Sequence, residues 1–256
     1  MQLDNLKTVE WIALQAGALL RERQPTAVRI VSTKDIVLQQ DLDSEQIILG
    51  RLAVEFPTIT FLSEEAGGER DLEGLKAIID PLDATNNYYH KDVFYGVSIG
   101  IVEGGRPVLG VVYMPELRRL YSAMDITCSM LQKEGRPWDM IHVSACDDLK
   151  KARLSIDAGA RQEKSIGVLK RALQETFLPQ VQHCASGSAV SVAAGILDGY
   201  YHPKPTPFDV AAAGLIVQRA GGKVTDEEGN EWNPLSPSFV ASNGLIHDQF
   251  LDLINR

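Results

Sequence analysis

The sequence of 256 residues has few cysteines and none of the spacings that mark zinc or redox sites. Its 3 cysteines, Cys128, Cys146 and Cys184, are far apart and form no Cys-x-x-Cys pair. The 5 histidines are equally scattered and form no His-Glu-x-x-His motif. We therefore expect the thiols to be buried or incidental, and any metal ion to be held by carboxylates.

Long apolar runs and an excess of positive charge are also missing. No apolar stretch approaches the roughly 20 residues that span a bilayer, which predicts that the protein does not cross a membrane. The chain has 34 acidic and 25 basic residues, a formal net charge of −9. Because an acidic surface repels a phosphate backbone, we expect no nucleic-acid partner. Asp4 stands where a signal peptide would carry positive charge, so we expect a cytoplasmic protein.

Hydrophobic periodicity and turn residues predict a chain of helices and strands. Helices are predicted at 4–22, 44–56, 165–177, 188–197, 208–219 and 246–254, the second of them capped by Asp43 or Ser44. Strands are predicted at 58–62, 75–79, 94–102, 107–114, 120–124, 153–156, 200–202, 223–225 and 239–242. We expect an α+β first half and an α/β second half, because strands and helices alternate in the second. The polar stretch Asp147–Lys151 predicts a boundary between an N-terminal half, 1–148, and a C-terminal half, 149–256.

Carboxylates stand out at four places: Asp41, Glu64–Glu65, Asp80–Asp83 and Asp209. Asp80 and Asp83 follow an apolar strand, where a buried carboxylate without a partner would be costly. A hard divalent cation removes that cost, and two aspartates at this spacing can face each other across a metal pair. Taken singly, a Glu-Glu pair is more often a solvated surface, and an Asp-x-x-Asp segment is commonly a turn or helix cap. The order of the segments therefore carries the prediction.

Three motifs in this order resemble the signatures of the inositol monophosphatase family. They are Ser-Glu-Glu at 63–65, Ile-Asp-Pro-Leu-Asp-Ala-Thr-Asn-Asn at 79–87 and Pro-Phe-Asp-Val-Ala-Ala-Ala-Gly at 207–214. A hairpin at 97–113, Gly-Val-Val-Tyr-Met-Pro at 110–115 and Ala-Gly-Gly-Lys-Val-Thr at 220–225 resemble the family as well. The resemblance extends from about Lys34 to Asp226, nearly the whole chain.

The resemblance implies a layered α-β-α-β-α sandwich with an active site between its halves, and a magnesium-dependent phosphatase. It implies that two or three Mg²⁺ ions are held by Glu64, Asp80, Asp83, Asp209 and the carbonyl of Leu82. Glu64 and Thr85 would position and activate the attacking water, and Asp41 would hydrogen-bond Thr85. Substrate contacts are implied for Ala84, Thr85, Ser188, His202 and Asp209. A small phosphorylated substrate, a homodimer and sensitivity to lithium are implied by resemblance only.

Two positions depart from the family pattern. Ala84 stands where the motif has glycine, and a methyl group would obstruct a backbone that needs positive φ. We favour the alternative that residue 84 is simply the first helical residue, since alanine is a good helix former. His202 stands where inositol-specific members carry a glutamate that contacts a substrate hydroxyl. The imidazole either contacts a sugar hydroxyl or second phosphate, or is a half-exposed strand residue with no ligand; Lys204 nearby is interpreted as a solvated lysine.

The leading hypothesis is a Mg²⁺-dependent phosphatase that hydrolyses a small phosphate monoester, inositol monophosphate first, by attack of a metal-activated water. The alternatives keep the metal site and change the substrate: a 3′(2′),5′-bisphosphate nucleotide, fructose 1,6-bisphosphate or another sugar phosphate. The segment Asn86–Tyr88 is nearer to the inositol branch than to the nucleotidases. A catalytically weak regulatory homologue is a hypothesis of a different class, and Ala84 is the motif residue that favours it.

Overall fold

The computed structural model describes residues 1–32, 35–157 and 162–256, and the side chains of 29–35 and 158–162 fall outside the description. Lys34, where the family resemblance begins, therefore lies outside the described residues. Helices α1 to α7 span Leu3–Glu22, Gln39–Glu55, Thr85–Tyr89, Gln162–Glu175, Ala185–Ala193, Pro207–Arg219 and His247–Asn255. Strands β1 to β14 span Ala27–Ser32, Asp35–Leu38, Thr60–Ser63, Leu75–Asp83, Gly96–Glu103, Arg106–Met114, Arg119–Met124, Met130–Lys133, Trp138–Met140, Arg153–Ile156, Leu178–Gln180, Gly199–His202, Lys223–Thr225 and Phe239–Ser242.

Among the residues described, two large sheets alternate with three layers of helices, and strands β1 and β2 form a separate antiparallel pair. The first sheet has the order β3-β4-β5-β6-β7-β8-β9, and it is antiparallel except for the β3–β4 pair. The second has the order β11-β10-β12-β14-β13, with β10 parallel to both β11 and β12. Helices α1 and α2 cover the outer face of the first sheet, α5 and α6 lie between the sheets, and α4 and α7 cover the second sheet. This is the predicted α-β-α-β-α sandwich.

Burial on both faces explains why the central strands lack the alternation of a surface sheet. Strand β4 is buried at every position from Lys76 to Asp83, because helices pack on both sides of it. Helix α6 approaches the same sheet closely: a Cβ at Gly110 would lie 2.5 Å from the carbonyl oxygen of Ala212, and one at Gly100 would lie 2.9 Å from its nitrogen. Glycine at these positions lets α6 lie against the sheet, and α6 carries Asp209.

Several predicted boundaries were wrong near the site. Helix α2 begins at Gln39, not Ser44, because the carboxylate of Asp41 accepts a hydrogen bond from the Leu38 main-chain nitrogen and supports an earlier first turn. Strand β4 was predicted to stop at residue 79, but it continues through the Asp-Pro-Leu-Asp segment with an irregular register between Asp80 and Asp83.

The second half shows the same kind of error. Helix α5 begins at Ala185 rather than Ser188, because small polar residues make up its first turn and hide it from an apolar pattern. Five short strands went unpredicted: β1, β2, β8, β9 and β11.

The two large sheets fall on either side of residue 148, while α6 packs on both sheets. The division into 1–148 and 149–256 stays a prediction. None of the described helices combines the length and the apolar character needed to cross a membrane.

Candidate active site

Three carboxylates from two distant segments meet between the sheets. Asp80 and Asp83 stand at the end of β4, and Asp209 stands in the first turn of α6. One oxygen from each carboxylate lies within 4.8 Å of an oxygen of the other two. Helix α6 starts locally because Pro207 occupies its first turn and Asp209 Oδ2 accepts from the main-chain nitrogen and hydroxyl of Thr206, at 2.5 and 2.8 Å. The hydrogen bonds that cap the start of the helix therefore also fix the orientation of the Asp209 carboxylate.

Asp80 and its loop are held by main-chain contacts. The Leu82 main-chain nitrogen donates to Asp80 Oδ1 at 3.0 Å, and the Ser44 hydroxyl donates to the Pro81 carbonyl at 2.7 Å. All three members of the Asp80–Leu82 segment are buried. This bracing holds the two aspartates of β4 in one geometry relative to each other.

Asp83 is bound by the start of α5. Its Oδ2 accepts from the main-chain nitrogen of Ser186 at 2.7 Å, from the Ser186 hydroxyl at 2.5 Å and from the Cys184 thiol at 3.1 Å, and Oδ1 accepts from the Ala185 nitrogen at 3.3 Å. Sequence reasoning missed these residues and named Ser188 instead. Small polar residues just ahead of an apolar run were the available signal, since helix N-termini bind anions. Cys184 is buried as expected, but it is not incidental.

Thr85 joins this cluster to α2. Its hydroxyl lies 3.0 Å from Asp41 Oδ1 and 3.0 Å from the Leu82 carbonyl oxygen, so the expected contact between Asp41 and Thr85 is present. The other oxygen of Asp41 accepts from the Leu38 nitrogen at 2.7 Å. A hydroxyl with one proton can donate to only one of its two acceptors at a time, and its lone pairs can accept from a third group. Thr85 therefore lies between the buried carboxylate of Asp41 and the residues that could bind a metal ion.

Ala84 does not behave as the first helical residue. It precedes α3 with φ of 73° and ψ of 49°, in the left-handed region. The preference for a helical Ala84 was therefore wrong, and the alternative that this position needs positive φ is correct. An alanine there carries strain that a glycine would not. The half-buried methyl packs against the apolar clusters of both sheets, so the chain keeps this strained turn in place by packing.

Burial and mutual repulsion raise the pKa values of the acids. Loss of hydration raises the pKa of Asp80 well above its ordinary value, and the charges of Glu64 and Asp83 raise it further. The pKa of Asp83 is raised by burial and by Asp209, against the hydrogen bonds from α5. Glu64 is an exposed residue, yet loss of hydration around its carboxyl and the charge of Asp209 raise its pKa to about 8, and its carboxyl is hydrogen-bonded to that of Asp80. Burial alone accounts for most of the rise of the Asp41 pKa to about 7. Packed carboxylates of this kind require protons or a cation.

Two further predicted substrate contacts, Ser188 in α5 and His202 in β12, come from the C-terminal half of the chain. Ser188 is buried in α5, and its hydroxyl donates to Gln182 Oε1 at 3.1 Å. His202 is buried at the end of β12, where Nδ1 accepts from the Lys204 nitrogen at 3.2 Å and Nε2 lies 3.8 Å from Asp157 Oδ1. His202 is therefore not half-exposed, as the alternative without a ligand supposed. Lys204 is exposed, as expected for a solvated lysine. The substrate roles of Ser188 and His202 stay predictions.

Comparison with known protein families identifies the family of this chain. The sequence profile of the inositol monophosphatase family matches residues 3–256. The chain belongs to the inositol monophosphatase family. Inositol monophosphatase 3 of Solanum lycopersicum is 32% identical over 95% of this chain and 94% of its own length. A protein of Thermotoga maritima named fructose-1,6-bisphosphatase/inositol-1-monophosphatase is 32% identical over 87% of this chain and 84% of its own.

A solved structure shows that the inositol monophosphatase fold extends over the whole chain. The Thermotoga maritima IMPase superposes with a TM-score of 0.90 at 29% identity, covering 99% of this chain and 97% of that one. Family membership and the sandwich fold, both predicted from the motifs, are confirmed. Inositol monophosphatase relatives are metal-dependent phosphomonoester hydrolases that act on small phosphorylated substrates, and this chain is a hydrolase of that type.

Proposed function

We propose that this protein is a Mg²⁺-dependent phosphatase that hydrolyses a small polyol monophosphate, inositol monophosphate first. The observation that carries the proposal is the meeting of Asp80, Asp83 and Asp209 within 4.8 Å. Asp80 and Asp83 come from one segment and Asp209 from another, well over a hundred residues later in the sequence, and the approach of the three carboxylates would be unfavourable without a cation.

The donor chemistry fits magnesium. The atoms proposed as ligands are all oxygens, which hard cations prefer. Asp80 and Asp83 are buried, and their pKa values are raised. We propose that two or three ions are held by Glu64, Asp80, Asp83, Asp209 and the Leu82 carbonyl. Bound Mg²⁺ would polarise the phosphate ester and lower the pKa of a bound water.

We propose that two side chains handle the proton of the attacking water. Thr85 Oγ1 can accept a hydrogen bond from that water while its own proton goes to Asp41 Oδ1 or to the Leu82 carbonyl. We propose that Glu64 takes up the proton that the water releases. The main-chain nitrogens of Ala84 and Thr85, in the turn after Asp83, are proposed donors to phosphate oxygens.

Phosphate release with magnesium present or chelated tests the proposal. The esters would be inositol 1-phosphate, 3′-phosphoadenosine 5′-phosphate, fructose 1,6-bisphosphate and glycerol 2-phosphate. Turnover should require Mg²⁺, and Asp83→Asn and Asp209→Asn should each lower kcat at least about 100-fold, since each removes an ionic ligand. Asp252→Asn, on an exposed site of α7, is the matched control.

A second readout separates loss of metal from loss of fold. Mg²⁺ should raise the Tm of the wild type and of Asp252→Asn, and should raise it less in the two ligand variants. Near-normal phosphate release by Asp83→Asn would contradict the metal assignment. No turnover on any ester by folded protein that still binds Mg²⁺ would favour the regulatory homologue.

Fructose 1,6-bisphosphate is the second candidate substrate. The Thermotoga maritima relative carries this activity in its name together with inositol-1-monophosphatase. His202 could face a second phosphate, but the carboxylate of Asp157, 3.8 Å from its Nε2, disfavours another negative charge there. The kcat/KM values for the two esters decide between the candidates.

The family resemblance underlies three further proposals. We propose a homodimer, to be checked by light scattering on the purified protein. We propose inhibition by Li⁺ in the same phosphate-release assay. We propose a cytoplasmic location, which cell fractionation checks.

A further inference from the structure

Helix α2 carries three buried polar side chains on one face, those of Asp41, Ser44 and Glu45. Their spacing of three and four residues places them on the same side of the helix. None of them is more than 7% exposed. Asp41 contacts Thr85, and Ser44 contacts the Pro81 carbonyl, so two of the three already support the acidic cluster. Glu45 is the member of this set whose role is still unexplained.

The carboxylate of Glu45 binds both ends of the turn that carries Glu64. Glu45 Oε1 accepts from the hydroxyl of Ser63 and from the main-chain nitrogen of Ala66, the latter at 2.9 Å. Ser63 is the last residue of β3, and Ala66 stands three residues further along the chain. One carboxylate oxygen therefore joins the two ends of the turn, and Glu64 lies between the two donors.

Hydrogen bonds, more than packing, hold this turn in place. Glu64 and residues 66–70 are exposed, so few apolar contacts fix the segment. Ser63 and Gly67 exchange two main-chain hydrogen bonds of 2.9 Å each, and the Glu64 nitrogen donates to a carbonyl of β4 at 3.1 Å. Glu45 adds two bonds from a helix that packs against the same strand. The turn is thereby fixed relative to the aspartates at the end of β4.

The burial of Glu45 is explained by this turn. A buried carboxylate is costly unless donors pair with it, and the donors here are the Ser63 hydroxyl and the Ala66 nitrogen. An apolar side chain could supply the packing of α2 against β4 without that cost. The carboxyl of Glu64 is hydrogen-bonded to that of Asp80, so a displaced turn would separate two of the proposed metal ligands.

We propose that Glu45 is a positioning residue that holds Glu64 where it binds Mg²⁺, and that Glu45 thereby sets the affinity for the metal. This inference rests on the proposed phosphatase function. Glu45 acts through Glu64 and takes no part in the reaction itself. Because its two hydrogen bonds carry the effect, glutamine should replace it, since the amide oxygen accepts the same bonds, and alanine should not.

Magnesium binding to the full-length protein in the absence of any ester tests the proposal, and isothermal titration calorimetry measures it. Glu45→Ala should weaken Mg²⁺ binding about 10-fold to 100-fold, the usual cost of losing a residue that orients a metal ligand. Glu45→Gln should stay within about threefold of the wild type. Glu55→Ala replaces an exposed glutamate of the same helix, so it is the matched control and should bind Mg²⁺ as the wild type does.

A double substitution shows whether Glu45 acts through Glu64. Glu64→Ala defines how much of the Mg²⁺ affinity depends on Glu64. Adding Glu45→Ala to that variant should lower the affinity by less than about a further twofold, because the side chain that Glu45 positions is already lost. A further loss of about tenfold in the double variant would show that Glu45 acts on something other than Glu64, and would overturn the proposal.

Activity separates the metal from the substrate. With inositol 1-phosphate, Glu45→Ala should need about tenfold more Mg²⁺ for half its maximal rate. Its KM for the ester at saturating Mg²⁺ should change by less than about twofold, because Glu45 affects a metal ligand and not the ester. An increase of KM without a change in the Mg²⁺ requirement would contradict this role.

Thermal unfolding in a chelator shows which variants are folded. If Glu45→Ala does not fold, Ser63→Ala takes its place: it removes one of the two donors and should still weaken Mg²⁺ binding about threefold. Unchanged Mg²⁺ binding in the folded variant would refute the role of Glu45 and leave the phosphatase proposal intact. A wild type that neither binds Mg²⁺ nor releases phosphate would mean that the proposed function itself has failed.

Discussion

Replacing Asp41 with asparagine should make the metal-free protein more stable to unfolding at neutral and alkaline pH. Asp41 is 2% exposed, and burial raises its pKa from 3.8 to about 7 in spite of hydrogen bonds from Leu38 and Thr85. The folded protein therefore keeps a proton that the unfolded chain releases above about pH 4. Stability is highest below that pH, falls as pH rises through the pKa near 7, and is level above it.

The size of the effect follows from the two pKa values. Each pH unit between them costs about 1.4 kcal/mol, so ionised Asp41 destabilises the fold at pH 8 by roughly 4 kcal/mol. With an unfolding entropy of about 2.1 cal/mol/K per residue, a chain of this length should shift its Tm by roughly 7 °C. Asparagine keeps the contacts, because its carbonyl can accept from the Leu38 nitrogen and its amide can donate to Thr85.

Thermal unfolding in a chelator between pH 5 and pH 8 measures this. The raised pKa values of the other site acids lower stability with rising pH in both proteins, so the difference between them isolates residue 41. Asp41→Asn should exceed the Tm of the wild type by roughly 3 °C at pH 5 and by roughly 7 °C at pH 8. Asp252→Asn should follow the wild type throughout. Parallel curves for the wild type and Asp41→Asn would refute the pKa argument.

Substitutions at Gly110, Ala84 and Ser186 test the scaffold of the site by denaturant or thermal unfolding. Gly110→Ala should destabilise by at least about 2 kcal/mol, because its Cβ would lie 2.5 Å from a main-chain oxygen of α6; Gly50→Ala, with open space around it, should instead stabilise by about 0.5–1 kcal/mol. Ala84→Gly should keep the Tm within about 2 °C, since relief of left-handed strain offsets the gain in unfolded-chain entropy, and Ala84→Val should lower it clearly. Ser186→Ala should cost about 1–2 kcal/mol by removing a hydroxyl donor to Asp83, and an unchanged unfolding midpoint would contradict that contact.

Local sequence determined the acidic motifs and most of the elements that carry them. The helix over 3–22, the hairpin of 96–114 and the strand–aspartate order of β4 follow from apolar patterns and turn residues within short windows. The contact between Asp41 and Thr85, implied by resemblance, is present at 3.0 Å. These features could be predicted because each depends on neighbours in sequence, or on motifs that keep their order.

Tertiary structure alone decided how the site is completed. The left-handed turn at Ala84 is held by packing against both sheets, which no local preference of alanine would predict. The hydrogen bonds from Cys184 and Ser186 to Asp83 join residues about a hundred positions apart, at a helix start that carries no apolar pattern. Among the described residues the hydroxyl of Tyr200 has no hydrogen-bond partner, which is seen only when every buried polar group has been matched with its partners. Such features depend on where separate elements come to lie, because a partner's distance and a group's burial are properties of the assembled layers.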